Sequence, residues 1–482
     1  MTAHFTSLFL ASCFLLVSAE TALVRASQGA DPVSGRPGAA TEGDNGAFES
    51  VARHIDPSGS IYIYWNTEKL LGEIDQKLQS VRDAALTGSS LTADQKERLA
   101  HGFDLARRLV MNCGIEAVKA FGMSSRAMGS GYFLNKSFLF VPDQSGYLWG
   151  SFGKPPHDFG VLKMVPENTE GFAFFDFDLA TFWEGLSKDV EASGNPELTN
   201  WRPKVQQEFQ STAGMSLDDF LGSLGDQVGL IMTLDPVKTT ALPVGNTMIE
   251  IPEPAGALLW KVNNDKVFDR LDALLGTTPD IEKTDLPDLR MRIFKGNNPA
   301  PYLSPTLARY NSYLILSSSE NLVGGIIDAS SGKTQGIRSS PDFNALSEGL
   351  PDKGNQVVYV GKRLQRVIAS VQTAINDSQV ATDPVLRSFV DQIAASSRET
   401  ASYAVSGATA DGWLSTAKTT TDVNDVLGDL LMAPAYFLAN AVVQDLKRGG
   451  TSAEPQEQGT LPQPPLPEPT IPGSAPTPGE SQ

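Results

Sequence analysis

The sequence predicts an α+β protein: three degenerate strand–helix–helix–hairpin units forming twisted antiparallel sheets, with helices mainly on one face. Three observations lead there. A proline, a polar turn, an apolar run of strand length and an amphipathic helix recur in that order three times. The copies are DPSGSIYIYWNTEKLLGEIDQKL from Asp56, VPENTEGFAFFDFDLATFWEGLSKDV from Val165 and LPDKGNQVVYVGKRLQRVIASVQTAI from Leu350. The first and third are followed by a second helical pattern and then by alternating apolar residues around a turn. One strand with one helix cannot bury its apolar face, so such units must share a core.

At the N-terminus, MTAHFTS leads into the apolar run LFLASCFLLV and then to small residues through Ala19. The run is too short to span a bilayer and suits the apolar core of a secretory signal, expected at 1–26 with cleavage after Ala19 or Ala26. Leu10-Ala11-Ser12-Cys13 also matches a lipobox, which makes Cys13 a candidate lipidation site; an uncleaved anchor is the third alternative. The ordinary cleaved signal is favoured because Cys13 comes early and the apolar run continues through Leu15, Leu16 and Val17. Only His4 precedes the run, so the usual basic segment is missing. Residues 27–50, rich in Gly, Pro, Ala and Asp, read as a flexible leader.

The first unit spans 51–160. Asn66 caps its first helix, and Leu70, Ile74, Leu78 and Val81 form the apolar stripe. Thr92-x-x-Gln95 is a capping box opening a second helix to about Phe121, along Leu99, Phe103, Ala106, Val110, Cys113 and Ala117. SSRAMGSGYFLNKSFLFVPD then reads as a hairpin turning near Asn135-Lys136. The second, enlarged unit spans 161–349. Asp178 caps the helix after its strand, SLDDFLGSLGD reads as a helix, and GLIMTLD as a strand. Residues 255–331 add strand ALLWKV, a helix with Val267, Leu271 and Leu274, strand LRMRIF, the hairpin TLARYNSYLILSSS and a short helix from Ser319. Ser340-Pro341 opens another helix, with proline in the first turn, where its missing N–H has no partner to lose. In the third unit, 350–448, Gly361 holds the cap position and Leu364, Val367, Ile368, Val371 and Ile375 share a helix face. A further helix is expected near 384–396, and Asp411-Gly412 between alternating runs signals a hairpin. Residues 449–482 carry nine prolines and read as a disordered tail serving as a spacer.

The chain has 482 residues, a net charge of −18 and a sequence pI near 4.7. An acidic surface repels phosphate backbones, and the densest basic clusters are pairs such as Arg107-Arg108, so no nucleic-acid partner is expected. Membrane contact is expected only through the N-terminal segment, if that is uncleaved or lipidated. After cleavage Cys113 alone remains, which leaves no internal disulfide; its place on an apolar stripe reads as a small buried hydrophobe.

SYLILSSSENLVGGIIDA, followed by SSPDF and LPDKGNQVVYV, resembles an uncharacterised family of bacterial secreted and envelope-associated proteins catalogued as a domain of unknown function. The resemblance covers roughly residues 165–420. It implies fold and location, and it implies no activity.

Catalytic patterns are sparse. His4, His54, His101 and His157 form no H-x-x-H, and there is no cysteine pair, so zinc has no recognisable ligand set and no metal or cofactor is expected. There is no G-x-S-x-G. Ser330-x-x-Lys333 lacks the other motifs of Ser-Lys hydrolases and suits a helix end. Gly332-Lys333-Thr334 has Ile327 where a phosphate loop needs glycine. Asp176 and Asp178 have the spacing of the first two ligands of a calcium loop, but bulky Phe182 and Trp183 follow; Asp178 reads as a cap and Asp176 as lying on the exposed side of its strand. Asn135 and Asn376 begin glycosylation triplets. Aromatics crowd the repeated strands, and Tyr62, Tyr64, Trp65, Phe174 and Tyr359 are candidates for facing an apolar or glycan ligand, with sheet packing as the simpler reading.

The leading expectation is an exported, non-enzymatic protein of the bacterial envelope, acting as a scaffold or binding partner of an envelope protein. Its location would be periplasmic or extracellular, including association with the outer membrane. The alternatives are a periplasmic carrier of a lipid or other apolar ligand, and a hydrolase whose site assembles in space.

Overall fold

The computed structural model describes residues 45–421, apart from 89–90, 153–154, 196–197, 199, 245–246, 277, 279, 297–301 and 381–399. The expected signal with Cys13, the leader up to residue 44, the helix near 384–396 and the proline-rich tail lie outside the described residues. So do the side chains of Leu70, Ile74, Leu78 and Ile375.

The elements run α1 (Asn45–Ala52), β1 (Ile61–Asn66), α2 (Glu68–Gly88), α3 (Ala93–Cys113), β2 (Ala120–Gly129), β3 (Tyr132–Phe140), α4 (Tyr147–Phe152), β4 (His157–Asp158), β5 (Thr169–Asp176), α5 (Leu179–Ala192), α6 (Trp201–Ala213) and α7 (Leu217–Ser223). There follow β6 (Leu224–Val244), β7 (Thr247–Val262), α8 (Lys266–Leu275), β8 (Ile281–Leu286), β9 (Leu289–Phe294), β10 (Thr306–Tyr310) and β11 (Tyr313–Ser317). The last are α9 (Glu320–Ser330), α10 (Pro341–Ser347), β12 (Lys353–Gly354), β13 (Gln356–Val360), α11 (Lys362–Val380), β14 (Ser402–Ala408) and β15 (Gly412–Thr419). Local chemistry sets the helix starts. The Thr92–Gln95 capping box is formed, and the side chains of Asp178 and Ser340 accept the N–H groups of Thr181 and Phe343.

Thirteen strands make one antiparallel sheet in the order β1-β2-β3-β15-β14-β13-β5-β6-β7-β11-β10-β9-β8, and β4 pairs with β12 separately. The several sheets expected from the sequence are therefore one sheet. The reason is that β15 pairs with β3 and β13 with β5, so the last strands of the chain bridge the earlier ones.

Period-two alternation sorts side chains onto two faces. On the first face, Phe172, Phe174, Leu259, Ile315, Val357, Tyr359 and Tyr403 pack against Val323 and Ile326 of α9 and Phe343 and Leu346 of α10. Farther along that face, Val51 of α1 packs with Ile55, Ala120 and Phe138. On the second face, Leu224, Val262, Leu307 and Leu314 meet Val267 and Phe268 of α8. Leu364 of α11 lies directly over Gly171, where a Cβ would have no room. Helices thus cover both faces, which corrects the one-sided expectation: each face carries its own apolar rows, and each needs a cover.

Three boundaries also differ from expectation. Helix α3 stops at Cys113, because Gly114 takes a left-handed φ of 102° and turns the chain; Ala117 lies in a short 3-10 turn and Phe121 in β2. The first hairpin turns at Ser130 and Gly131, with φ of 53° and 77°, while Asn135 and Lys136 sit mid-strand opposite Ser125 and Ser124. The leader does not extend to residue 50: α1 begins at Asn45, and its Val51 is fully buried. The hairpin at Asp411-Gly412 forms as the dipeptide indicates, with Ala408 opposite Trp413.

Candidate functional site

The densest polar grouping on the first face lies where β5, β6 and β13 end together. Asp176 is the last residue of β5 and is 3% exposed, which overturns its placement on the exposed side. Alternation explains this, because Asp176 has the parity of Phe172 and Phe174, both of which point into the core. Its Oδ2 accepts from Asn355 Nδ2 at 3.1 Å and lies 2.8 Å from His157 Nε2. Gln227 Nε2, on the neighbouring strand, stands 3.5 Å from Oδ1, and Gln227 Oε1 accepts from the Tyr313 hydroxyl at 2.6 Å. Burial, with Asp176 adding a smaller push, raises the Tyr313 phenol to about 12.

Asn355 holds the grouping to the backbone: its N–H donates to Ser406 O, its carbonyl accepts from Asp176 N, and its Oδ1 accepts from Ala408 N. His157 arrives from the other side, on β4, whose pairing with β12 sets it beside Gly354. Its Nδ1 is 3.1 Å from the Asp158 carbonyl oxygen. Both ring nitrogens therefore face oxygens, and which of the two donates depends on the tautomer. The imidazole is about two-fifths exposed while the carboxylate beneath it is buried, so the ring shields the charge from one side.

A second charged cluster lies at the far edge of the sheet. Arg292 is 4% exposed, donates to both carboxylate oxygens of Asp272 at 2.7 Å, pairs with Asp285 at 2.9 Å and lies near the Phe268 ring. The Arg292 hydrogen bonds hold Asp272 down at about 2. Its groups are mutually paired, as expected of a fastening between α8 and the β8–β9 edge.

The five aromatic candidates do not line one surface. Phe174 and Tyr359 are 1% and 3% exposed, in the main core, and burial raises the Tyr359 phenol to about 12. Tyr62 and Tyr64 pack around Val51 and Phe138, and Tyr64 meets Phe48 edge-on at 5.1 Å. Trp65 takes the opposite face of β1. Six strand spacings, roughly 29 Å, separate β1 from β5.

The other candidates are accounted for locally. His54 stacks on Phe138 at 3.9 Å with Nε2 3.3 Å from Asp411, and His101 lies 3.8 Å from Glu97 on its own helix. Lys333 pairs with Asp328 at 3.0 Å after the end of α9. Asn135 donates to Thr419 Oγ1 at 3.0 Å within the sheet. Cys113 is half-buried, its Sγ 3.3 Å from Val110 O, and burial pushes its thiol up. Among the described residues, no group of three or more His, Cys, Asp or Glu could hold a metal ion, and no helix is long and apolar enough to cross a membrane.

Comparison of the chain with family models, with curated proteins and with solved structures finds no match.

Proposed function

We propose that the chain acts as an exported, non-catalytic binding or scaffold protein of the bacterial envelope. The observation that carries this reading is an arm projecting from the sheet. Strand β5 pairs with β6 only as far as Thr233, and β11 pairs with β7 only from Ala257, yet β6 and β7 stay paired to Val244 and Thr247. From Thr239 and Pro252 outward, six residue pairs, about 20 Å of ribbon, have no strand on either side among the described residues. It displays Met248, 62% exposed, and the irregular stretch at its base displays Val237, 85% exposed.

The outer edge of this arm is guarded against indiscriminate pairing. Gly256 exchanges hydrogen bonds with Ser318 across the outer side of β7, so Pro254 and Pro252, two and four residues earlier, also face outward and carry no N–H. A partner must then read side chains at the tip rather than add a strand at the base.

The first thirty residues support export through their signal-like pattern. The strand orders β1-β2-β3, β5-β6-β7 and β13-β14-β15 support the reading of three related units, each a strand, a helical excursion and a hairpin. The resemblance to the uncharacterised envelope family rests on its quoted residues alone. The test is photo-crosslinking in the source cells from positions 237 and 248. A discrete adduct that disappears with Val237→Arg and Met248→Arg supports the reading. Absence of any adduct, or turnover of an envelope substrate that is lost in His157→Gln, would sink it.

A further inference from the structure

Strand β8 ends the thirteen-stranded sheet, and hydrogen bonding fixes which of its backbone groups face outward. The Phe294 N–H donates to Pro305 O on the β10 side of β9, so the alternate residues Met291 and Ile293 present their backbone groups to β8. Their partners are Thr284 and Glu282. Ile281, Lys283 and Asp285 therefore turn their N–H and C=O groups away from the sheet, and among the described residues nothing bonds to these groups. The outer side of β7 along the arm is blocked by Pro252 and Pro254, whereas β8 contains no proline. Such an open row is a template for one more strand.

The residues of this edge select a second copy of it. In an antiparallel pair of β8 strands, outward-facing residues must meet outward-facing residues, which leaves few registers. Centring the pair on Glu282, Lys283 or Asp285 brings two like charges together on the axis. Centring it on Thr284 sets Lys283 opposite the partner's Asp285, and Asp285 opposite the partner's Lys283. Both side chains stay open to water: Lys283 is 44% and Asp285 57% exposed. Within the chain, Lys283 lies 3.1 Å from Asp272, and Asp285 lies 2.9 Å from Arg292. The new pairs would join the charge clusters of the two copies into one network, which is worth more than an isolated surface pair.

The rest of the edge fits the same register. Thr284 meets its copy on the axis, where two threonines form a favourable cross-strand pair. Leu286, 56% exposed, lies against the stem of the partner's Glu282. The chain carries a net charge of −18, yet here Arg290 and Arg292 stand among Asp269, Asp272 and Asp285. This local balance lets two acidic molecules approach at β8.

We infer that β8 docks a second copy of this chain: two β8 strands pair antiparallel about a two-fold axis at Thr284, and the sheet continues from one molecule into the other. Lys283 exchanges both backbone hydrogen bonds with the partner's Asp285, and the contact closes at a dimer because it is the same patch on both sides. It is independent of the partner proposed for the arm.

The test is disulfide formation in the full chain carrying Cys13→Ser and Cys113→Ser. Position 284 faces its copy at a Cα separation of about 4.5 Å, within disulfide reach. Thr284→Cys is expected to give a reducible dimer rapidly on oxidation, and so is the double variant Glu282→Cys with Leu286→Cys. Glu282→Cys alone and Leu286→Cys alone should stay monomeric, because each lies about 14 Å from its own copy in this register. Sedimentation velocity of the parent should show a reversible monomer–dimer equilibrium as concentration rises. Lys283→Pro should shift it to monomer without changing the circular dichroism, because the monomer makes no use of that N–H. A parent that is monomeric at every concentration overturns the proposal. So does a dimer that survives Lys283→Pro, or one that cross-links through Glu282→Cys alone as readily as through Thr284→Cys, since either places the contact elsewhere.

Discussion

His157 Nε2 lies 2.8 Å from Asp176 Oδ2, and this pair fastens the β4 crossing to the end of the central sheet. A buried carboxylate is tolerated only where hydrogen bonds replace water. Asp176 has Asn355, Gln227 and the His157 ring for that purpose.

Replacing Asp176 with alanine strands the donors of Asn355 and Gln227, and is expected to cost about 2–3 kcal/mol. His157→Ala removes one half-exposed partner and is expected to cost less, about 1–2 kcal/mol, because water can reach the vacated side. Urea unfolding measures both. Equal stability of His157→Ala and the parent would show that the ring contributes no fastening.

Acid sensitivity should trace to the far edge of the sheet. Asp272 is held at about 2 when folded, chiefly by its hydrogen bonds from Arg292, against an ordinary value near 4. A carboxyl with a depressed folded pKa contributes stability above its unfolded pKa and loses it as pH falls through the folded one. The expected loss is about 2 kcal/mol between pH about 4 and about 2. Arg292→Met removes the depression, so the difference between parent and variant should narrow across that window. A constant difference would contradict the assignment.

The alkaline limit has the opposite sign. Burial raises Tyr313, Tyr359 and Tyr403 to about 12 each. The unfolded chain ionises these phenols near pH 10, so their contribution is intact below that value and is lost as pH rises from about 10 to about 12. Phenolate absorbance should therefore show these three titrating late, in step with unfolding. Titration of all ten tyrosines at the ordinary value while the fold persists would contradict the burial.

Gly229 faces the Phe174 ring on the adjacent strand so closely that a Cβ would overlap the ring. Phe174 is 1% exposed and has no open side to move into. Gly229→Ala is expected to cost about 1–3 kcal/mol through overpacking. Gly222, with nothing near its Cβ position, is the control, and Gly222→Ala in α7 should stabilise slightly.

The sequence made some of this legible, and the reasons are local. Strand and helix periodicity found β5, β13 and α8, and the caps at Thr92, Asp178 and Ser340 could be read because one side chain bonds to one nearby N–H. Strand order could not be read. Nothing in the sequence near β3 signals that β15 pairs with it across the chain, and that pairing is what merges the sheet. The hairpin at Asn135-Lys136 was misplaced because Asn favours turns, yet the left-handed residues are Ser130 and Gly131. Phe48 stands at helical spacing from Val51 and Ile55, but it ends a segment, 27–50, whose Gly and Asp content suggests a leader.

The Asp176 site was partly legible. Counting alternate residues from Phe172 and Phe174 puts Asp176 on the buried face, and a carboxylate there demands partners. His157 could not be found that way, because β4 reaches Asp176 only through its pairing with β12. The aromatic candidates failed as a shared surface for the same reason: β1 and β5 are similar in sequence but sit six positions apart in the sheet.

The most direct test of the binding role is native mass spectrometry of the protein isolated gently from its own cells. The arm and the signal-like segment predict a chain shortened to begin near residue 20 or 27 that travels with another protein in fixed ratio. A full-length chain without a partner, or one carrying a stoichiometric small apolar mass released on denaturation, would contradict that role.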